Sequence, residues 1–416
     1  MDEQVLADSD TQVEVDAEIE AELDSFEEFN RGMGADGDWS PYPDFIKLRA
    51  EAPIHEDGLG FPGDPTDLQL FTAYTYEAVH TILGAEVFSS AGYGAVMGEV
   101  MGHSILEMDE PEHRTYRSIL QQAFTKAEMD RWEVELVGPL VNRMIDRFID
   151  DREVDLIRNL TFPFPVQVIA ALLGLPEEDL PEFHRLAVEL IGVTVNWERA
   201  LAASQRLREY FSGVVAQRRR EPANDMISVL VRAEHEGQRL TDEEIYAFLR
   251  LLLPAGAETT YRSSSNLLFG LLSHPDQLDA VRDDRALLPQ AIEEGIRWEP
   301  PLLIIVRSPL EDVEVCGVTL PARATVITNM GSANHDPARW DRPEEFDIFR
   351  ERKPHIGFAT GPHMCLGMHL ARMETRMVVN SLIDRMPNLR LDPEAGEQFI
   401  AGRVFRAPPS LKVIWD

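Results

Sequence analysis

The most informative segment of this chain lies near the C-terminus and reads Phe358-Ala-Thr-Gly361-Pro-His363-Met-Cys365-Leu-Gly367-Met-His-Leu-Ala-Arg372. It is a glycine-punctuated loop that leads a cysteine into a predicted helix. Unpaired N–H groups at a helix start lower the pKa of a thiol, and only the thiolate is a good metal ligand. Glycine on both sides lets the backbone curl around the sulfur and lets a flat cofactor approach without a Cβ clash. We therefore expect a thiolate metal ligand at Cys365; the alternative is a buried structural cysteine after a turn.

The loop resembles the haem-binding loop of cytochrome P450 enzymes, Phe-x-x-Gly-x-His/Arg-x-Cys-x-Gly with Leu-Ala downstream. Every position of that motif is matched in this chain. The resemblance implies haem b as the cofactor, Cys365 as its iron ligand, and a fold in which helices surround the haem beside a small separate β-sheet. The other motif positions are then cofactor-binding residues: Phe358, Gly361, His363 and Gly367.

The second cysteine, Cys316, lies in the alternating segment Val313–Val318, which predicts a strand and a turn. We expect it to be an inert core thiol. Two cysteines without a CxxC motif or a secretory signal indicate a reducing compartment, the cytoplasm, and no disulfides. They also exclude an iron–sulfur cluster within this chain, and no Rossmann turn or P-loop is present. Electrons must therefore come from another molecule.

Composition indicates a large folded unit with an acidic extension. The chain has 416 residues, is 44% apolar, and carries a formal net charge of −34, which argues against nucleic-acid binding. The sequence contains no run of about 20 apolar residues, so no membrane-spanning helix is predicted. Residues 1–28 contain twelve acidic residues and no basic one, so we expect a disordered tail. Without an internal linker or repeat, residues 29–416 are predicted to form one domain.

The remaining pattern is mainly helical, with a few alternating segments. This predicts a mainly α, α-rich α+β fold with a small segregated sheet. The predicted strands are Gln69–Tyr74, Leu303–Leu310, Val313–Val318 and Ala324–Asn329. The predicted helices are Asp109–Phe124, Glu128–Asp150, Pro165–Leu172, Trp197–Arg220, Asp225–Glu236, Asp242–Ser273, Pro275–Arg282, Leu287–Trp298 and His363–Arg385.

The longest predicted helix, Asp242–Ser273, is interrupted by Pro254-Ala-Gly-Ala-Glu258-Thr259-Thr. A proline, a glycine and threonines disturb the hydrogen-bond ladder at a helix centre. The stretch resembles the family's Ala-Gly-x-Asp/Glu-Thr-Thr segment, which lies over the haem. That resemblance implies that Thr259 hydrogen-bonds the reduced dioxygen and that Glu258 delivers protons from solvent for O–O cleavage. A polar kink in a core helix is the alternative.

Glu294 and Arg297 match the family's Glu-x-x-Arg pair, although the same spacing recurs elsewhere in the chain. The resemblance implies a structural role, in which a buried ion pair supports the cysteine loop. The family often places arginine before phenylalanine in its Pro-Glu-Arg-Phe segment, whereas this chain has Glu345. Arg342 and Arg350 are therefore the two candidates for completing the charge network.

A bound haem needs cationic partners for its two propionates. The resemblance places four residues there: His113 and Arg117, four apart on one predicted helix face, Arg307, and His363 of the cysteine loop. The alternative for His113 and Arg117 is a solvated basic face.

The family's pocket positions fall on uncharged residues. In the long helix they are Leu251, Pro254 and Ala255, the last also against the cofactor; the others are Leu303, Ile304, Ile305, Val404 and Phe405. Residues near Ala91–Met101 and Ala187–Trp197 are expected to add a mobile lid. Such a pocket suits a hydrophobic molecule such as a terpenoid, steroid or alkyl-aromatic compound. The same residues also fit an ordinary core.

The resemblance to the soluble bacterial type implies a monomeric monooxygenase that inserts one oxygen atom from dioxygen into a hydrophobic small molecule. It implies electrons from an external ferredoxin and an NAD(P)H-fed ferredoxin reductase. A non-catalytic haem-thiolate binding or sensor protein is the alternative, and peroxide use, desaturation or dealkylation remain open as other reactions. The expected basic docking patch for an acidic ferredoxin comprises Arg114, Arg117, Lys126, Arg352, Lys353 and Arg372.

Overall fold

The computed structural model describes residues 30–32, 37, 40–59 and 69–416, so the predicted acidic tail at 1–28 lies outside the described residues. In these residues, short 3₁₀ and π segments join sixteen α-helices. The helices are α1 Tyr42–Glu51, α2 Tyr76–Gly84, α3 Gly92–Met101, α4 Glu112–Leu120, α5 Lys126–Trp132, α6 Gly138–Asp146, α7 Pro163–Leu172, α8 Leu180–Ile191, α9 Trp197–Arg220, α10 Met226–Leu230, α11 Asp242–Leu252, α12 Thr259–Ser273, α13 Pro275–Asp283, α14 Leu288–Trp298, α15 Met330–Ala333 and α16 Met368–Arg385.

The strands are short and form small sheets in the described part of the chain. The largest sheet has the order β1-β2-β8-β5-β3, with β2 and β8 parallel and the other neighbours antiparallel. A second sheet has the order β4-β10-β9, and β6 and β7 form a hairpin. The strands are β1 Ile54–Leu59, β2 Gln69–Ala73, β3 Phe88–Ser89, β4 Glu153–Asp155, β5 Ile304–Pro309, β6 Val313–Val315, β7 Val318–Leu320, β8 Thr325–Asn329, β9 Arg390–Leu391 and β10 Lys412–Ile414. The predicted α-rich fold with a small segregated sheet is confirmed.

The buried apolar side chains form two clusters. The larger one joins most of the helices, including α7, α9, α11, α12 and α16. The smaller one lies between the five-stranded sheet and α2. The cysteine loop contributes to both, because Ile356 and Ala359 pack into the smaller cluster while Phe358 and Leu366 pack against the larger one. The loop therefore runs along the seam between the two clusters.

Several helix boundaries agree with the sequence prediction, and others need correction. Helix α9 spans the predicted residues, and the predicted start of the long helix carries a capping box in which the Thr241 side chain bonds the Glu244 N–H and the Glu244 side chain bonds back. The helix predicted from Asp225 ends at Leu230 because residues 235–238 form a turn closed by a bridge between His235 and Gln238. Helix α16 begins at Met368 rather than at His363.

The prediction of a buried core thiol at Cys316 is wrong. This cysteine is exposed in the two-residue turn between β6 and β7, where its φ is +51° and that of Gly317 is +80°. Both positive values are typical of a tight hairpin turn. The segment from Val313 is thus a hairpin rather than one strand. Separately, no helix in the described ranges has the length and apolar character needed to cross a membrane.

Candidate active site

The cysteine loop is held in a tight conformation by its own backbone. The Cys365 N–H donates to the Phe358 carbonyl over 2.9 Å, and the Met364 N–H donates to the Gly361 carbonyl over 3.1 Å. Gly361 has a φ of +76°, and a Cβ there would lie 2.4 Å from the Leu83 carbonyl oxygen at the end of α2. Glycine is needed at this position for two reasons: the backbone is left-handed, and another element approaches too closely to leave room for a Cβ.

The Cys365 thiol lies in a mixed environment. Burial raises its pKa, while a hydrogen bond from the Gly367 N–H and the charges of Arg117 and Arg372 lower it. The expected net lowering by a helix start is therefore not found, because burial outweighs the N–H group and the cations. A Cβ added to Gly367 would meet no atom within 4 Å, so there is open space two residues after the sulfur.

The four predicted propionate partners converge from three elements. His113 and Arg117 come from α4, Arg307 from β5, and His363 from the cysteine loop. The imidazoles of His113 and His363 are in contact, and Arg117 donates to the Met364 carbonyl over 2.6 Å. Burial, with the charges of the other three, lowers the pKa of His363 to about 3. Arg307 is buried, and burial also lowers its pKa.

This cluster has the chemistry of an anion site. The His113 side chain is 1% exposed, with Nδ1 3.2 Å from Glu110 Oε1 and Nε2 buried without a hydrogen-bond partner in the described residues. A buried polar atom of this kind costs about 1–3 kcal/mol unless something bonds it. Carboxylates that reach the cluster would accept a hydrogen bond from His113 Nε2. Their negative charge would also offset the repulsion among the cations. The unpaired nitrogen and the space beside Gly367 fit a flat cofactor with anionic substituents, which is what haem b is.

The predicted break in the long helix is a π-helical turn, Leu253–Glu258, between α11 and α12. The Thr259 hydroxyl donates to the Ala255 carbonyl over 2.7 Å, so it takes up a carbonyl that the wide turn leaves free. Ala255 is exposed although it lies in the middle of a buried helix, and Thr259 is half-buried. Thr260 is buried. Of the two threonines, Thr259 is therefore the one beside open space.

Glu258 does not contact solvent, contrary to the expectation for a residue that takes protons from it. Its side chain is 2% exposed, and its Oε1 accepts from Arg262 Nε over 2.6 Å. Arg262 Nη2 in turn donates to Asn30 Oδ1 over 2.8 Å. Neither Arg262 nor Asn30 is among the site residues predicted from the sequence. The four-residue spacing from Glu258 to Arg262 was a visible signal for the first.

Glu294 and Arg297 form a buried, two-pronged ion pair, with Nε–Oε2 and Nη2–Oε1 distances of 2.8 and 2.7 Å. Arg350 Nε donates to Glu294 Oε1 over 3.2 Å and completes the network. Arg342 instead bonds the exposed Glu345. Arg297 also donates to the Asn334, Pro343 and Glu345 carbonyls of the segment that leads to the cysteine loop.

The predicted substrate residues do not all reach open space. Ile304, Ile305, Val404 and Phe405 are half-buried, and the Leu303 N–H donates to the Val404 carbonyl over 2.9 Å, which joins the two segments. Leu303 itself is fully buried and packs against Gly331, and Leu251 is 8% exposed. In this conformation neither leucine is available to a ligand, because other protein atoms cover it.

Comparison with known proteins identifies the family. The family model for cytochrome P450 matches residues 183–413. The chain is 34% identical over 378 residues to the cytochrome P450 monooxygenase PikC of Streptomyces venezuelae, and the aligned region covers 88% of each chain. It is 33% identical over 390 residues to nocardicin C N-oxygenase of Nocardia uniformis subsp. tsuyamanensis, covering 90% of this chain and 95% of the other.

Solved structures agree in fold. CYP109E1 from Bacillus megaterium in complex with testosterone superposes with a TM-score of 0.82 at 30% identity, covering 91% of this chain and 100% of that one. P450BioI in complex with an acyl carrier protein carrying hexadec-9Z-enoic acid gives a TM-score of 0.81 at 30% identity, covering 91% and 98%. With this fold, the cysteine loop and these relatives, the chain belongs to the cytochrome P450 family and is a haem-dependent monooxygenase.

Proposed function

We propose that this monooxygenase hydroxylates a hydrophobic small molecule held between the broken helix and the strand and turn that carry Ile304, Ile305, Val404 and Phe405. The side chains of these four residues are uncharged and half-buried, which suits an apolar ligand. The testosterone complex of CYP109E1, at 30% identity, supports an apolar ligand of steroid or similar size. We propose hydroxylation rather than desaturation or dealkylation as the simplest outcome for such a ligand.

Haem b, bound through Cys365, supplies the activation of dioxygen. The protein supplies ligation, charge neutralisation and proton handling. Cys365 Sγ would be the iron ligand, with the Gly367 N–H directed at the sulfur. His113, Arg117, Arg307 and His363 would hold the two propionates.

Proton handling falls to Glu258 and Thr259, which are adjacent at the π turn. The Thr259 hydroxyl would exchange its bond to the Ala255 carbonyl for a bond to a polar ligand in the open space beside it, and Glu258 would hold the proton to be delivered there. This hydroxyl in open space beside a helix break is the observation that carries the proposal. A binding or sensor protein needs neither the break nor the hydroxyl.

The experiment has two stages. The purified ferric protein is titrated with terpenoids, steroids and alkyl-aromatic compounds, and the absorbance change that accompanies loss of the iron-bound water identifies ligands. The ligand that binds most tightly is then incubated with a ferredoxin, a ferredoxin reductase and NAD(P)H. Mass spectrometry is expected to find a product one oxygen atom heavier. Binding without any product under continuous reduction would favour the sensor alternative.

We also propose an external ferredoxin and an NAD(P)H-fed reductase as electron donors, and a monomeric protein of the cytoplasm with one domain from residue 29 onward. The two cysteines are unpaired in the structure, which suits a reducing compartment. The predicted docking cations are less available than the sequence suggests, because Arg372 is bidentate to Glu293 and Lys126 is paired with Asp130. Arg352 bonds only the neutral Gln290 within the described residues.

A further inference from the structure

Glu258 is held by a partner one turn further along the same helix. Arg262 Nε and Nη2 lie 2.6 and 2.5 Å from Glu258 Oε1, and both side chains are 2% exposed. The other carboxylate oxygen, Oε2, is buried without a hydrogen-bond partner in the described part of the chain. One oxygen of the carboxylate is thus fixed by Arg262, and the other remains available for a new bond.

Arg262 is itself fixed on its remaining sides. Its Nη2 donates to Asn30 Oδ1 over 2.8 Å, and the Tyr261 hydroxyl donates to the same oxygen over 3.3 Å. Its guanidinium lies 4.8 Å from the ring centroid of Tyr261 and 5.6 Å from that of Phe405. Asn30 is 7% exposed and is 232 residues away from Arg262 in the sequence. A residue near the start of the described chain therefore reaches the helix that carries Glu258 and Thr259.

A buried carboxylate without a cation would be neutral or would turn away, because its desolvation costs several kcal/mol. Burial raises the pKa of Glu258, and the charge and hydrogen bonds of Arg262 oppose that effect. With Arg262 in place, the carboxylate stays beside Thr259 and can take a proton at Oε2 and release it from the same atom. Without Arg262, no hydrogen bond would fix the rotamer of Glu258, and no cation would hold its carboxyl in the charged form.

We propose that Arg262 and Asn30 are positioning residues for oxygen activation: Asn30 holds Arg262, and Arg262 holds Glu258 Oε1 so that Oε2 carries the proton. This rests on the proposed role of Glu258 as the proton donor. Under this proposal Asn30, near the start of the described chain, takes part in the reaction through Arg262. The Phe405 ring lies against the guanidinium of the same arginine.

The test compares five variants of the haem-bound enzyme with the parent: Glu258→Gln, Arg262→Met, Asn30→Ala, the double variant Glu258→Gln/Arg262→Met, and Arg218→Met as a matched control. Arg218 forms a largely buried ion pair with Asp225 on other helices. Each variant is first checked for the carbon monoxide spectrum of the parent. Melting temperature, product formation at saturating substrate, KM, product per electron and the solvent deuterium isotope effect are then measured.

We expect Arg262→Met to lower product formation about tenfold or more, because loss of a buried charged partner leaves the Glu258 carboxylate unpaired, with KM changed less than about twofold. Asn30→Ala is expected to lower product formation up to about fivefold, the worth of one hydrogen bond. Both variants should enlarge the solvent isotope effect, because proton delivery becomes slower. Added to Glu258→Gln, Arg262→Met should have almost no further effect on product formation, since residues that act through one group are not additive. Arg218→Met should affect melting temperature only.

Two results would overturn the inference, and they differ from failure of the proposed function. If Arg262→Met resembles Arg218→Met while Glu258→Gln is slow, Glu258 delivers protons without help from Arg262. If the losses of Glu258→Gln and Arg262→Met simply multiply in the double variant, Arg262 acts elsewhere. If Glu258→Gln itself turns over like the parent, the proton role of Glu258 is wrong and the inference falls with it. Should Arg262→Met fail to fold, Asn30→Ala alone decides, because it leaves the ion pair intact.

Discussion

The imidazole ring of His113 lies against that of His363, with 4.0 Å between the ring centroids and 35° between their planes. Two imidazoles this close cannot both be charged without a counter-anion, and Arg117 and Arg307 add to the repulsion. The contact is therefore stable either with neutral rings or with carboxylates beside them. Glu110 already faces Nδ1 of His113. Haem propionates in the proposed site would supply further carboxylates and would give the unpaired Nε2 of His113 a partner.

We expect His113→Phe, which keeps a ring but removes Nε2, to speed haem loss about tenfold or more, because a hydrogen bond to a charged group is lost. Haem transfer to an excess of apomyoglobin measures the rate. His103→Phe is the control: His103 bonds Glu107 and Glu112 and its side chain is 52% exposed. Equal rates for the two variants would contradict the assignment of His113.

The two cysteines allow a direct test of the iron ligand. A cysteinate ligand gives carbon monoxide-bound ferrous haem its strongly red-shifted Soret band, and Cys365 is the cysteine of the proposed haem-binding loop. Cys365→His should lose that band while Cys316→Ser keeps it, since Cys316 lies in an exposed hairpin turn. Loss of the band in Cys316→Ser would refute the assignment.

Thr259→Ala should leave haem binding and substrate binding nearly unchanged but uncouple the reaction. Without the hydroxyl, reduced dioxygen is released as hydrogen peroxide before O–O cleavage, so product per electron falls and peroxide per electron rises. Both yields are measured against NAD(P)H consumed. Thr260→Ala is the control, because Thr260 is the neighbouring threonine and is buried. If Thr259→Ala makes as much product per electron as the parent, Thr259 is only a helix residue.

If a ferredoxin docks by charge attraction, the rate at which it reduces the enzyme should depend on surface cations that lack a carboxylate partner. Arg352→Glu is expected to slow reduction by a ferredoxin about threefold or more at low ionic strength, and less as salt screens the charges. Lys126→Glu should have a smaller effect, because Asp130 already neutralises Lys126. Stopped-flow reduction at several salt concentrations measures both. Equal effects, or rates that do not respond to salt, would contradict electrostatic docking.

The carboxyl of Glu374 on α16 is buried, its Oε2 has no hydrogen-bond partner in the described residues, and burial raises its pKa well above the usual value. The folded protein therefore keeps a proton that the unfolded chain loses above about pH 4.3, so stability is lost as pH rises. Glu374→Gln should therefore be more stable than the parent at pH 8, because glutamine has no proton to lose. The difference should shrink toward pH 4.

Thermal unfolding of the haem-bound protein between pH 4 and pH 8 follows this difference. Glu351→Gln, at a side chain 83% exposed, is the control and should show little change. A glutamine variant that is less stable than the parent at pH 8 would mean that Glu374 is ionised and paired in solution.

The sequence predicted the parts of the structure that depend on local chemistry. Helix α9 follows from its pattern, and the start of α11 follows from a capping box at Thr241. Helix α3, Gly-Tyr-Gly-Ala-Val-Met-Gly-Glu-Val-Met, contains glycines that oppose helix formation, so only its tertiary contacts make it a helix. It was expected only as part of a lid.

The motifs of the proposed site are visible in the sequence, whereas its supporting contacts are not. Glu258 and Arg262 have the spacing of an ordinary surface pair, and only burial distinguishes them from one. Asn30 has no local signal, because its contact with Arg262 closes a long loop of chain. Arg342 and Arg350 are equally good candidates for the partner of Glu294 on sequence grounds. The path of the backbone brings Arg350 to Glu294 and leaves Arg342 beside Glu345.

The course of the cysteine loop along the seam between the two apolar clusters has a consequence for biosynthesis. Ile356 and Ala359 belong to the cluster under the sheet, and Phe358 and Leu366 belong to the helical one. A rigid porphyrin bound at the proposed site on this loop would join two regions that pack as separate apolar clusters. Because a ligand that binds only the native state stabilises it by mass action, the yield of folded protein depends on the supply of porphyrin and iron in the cell that makes it.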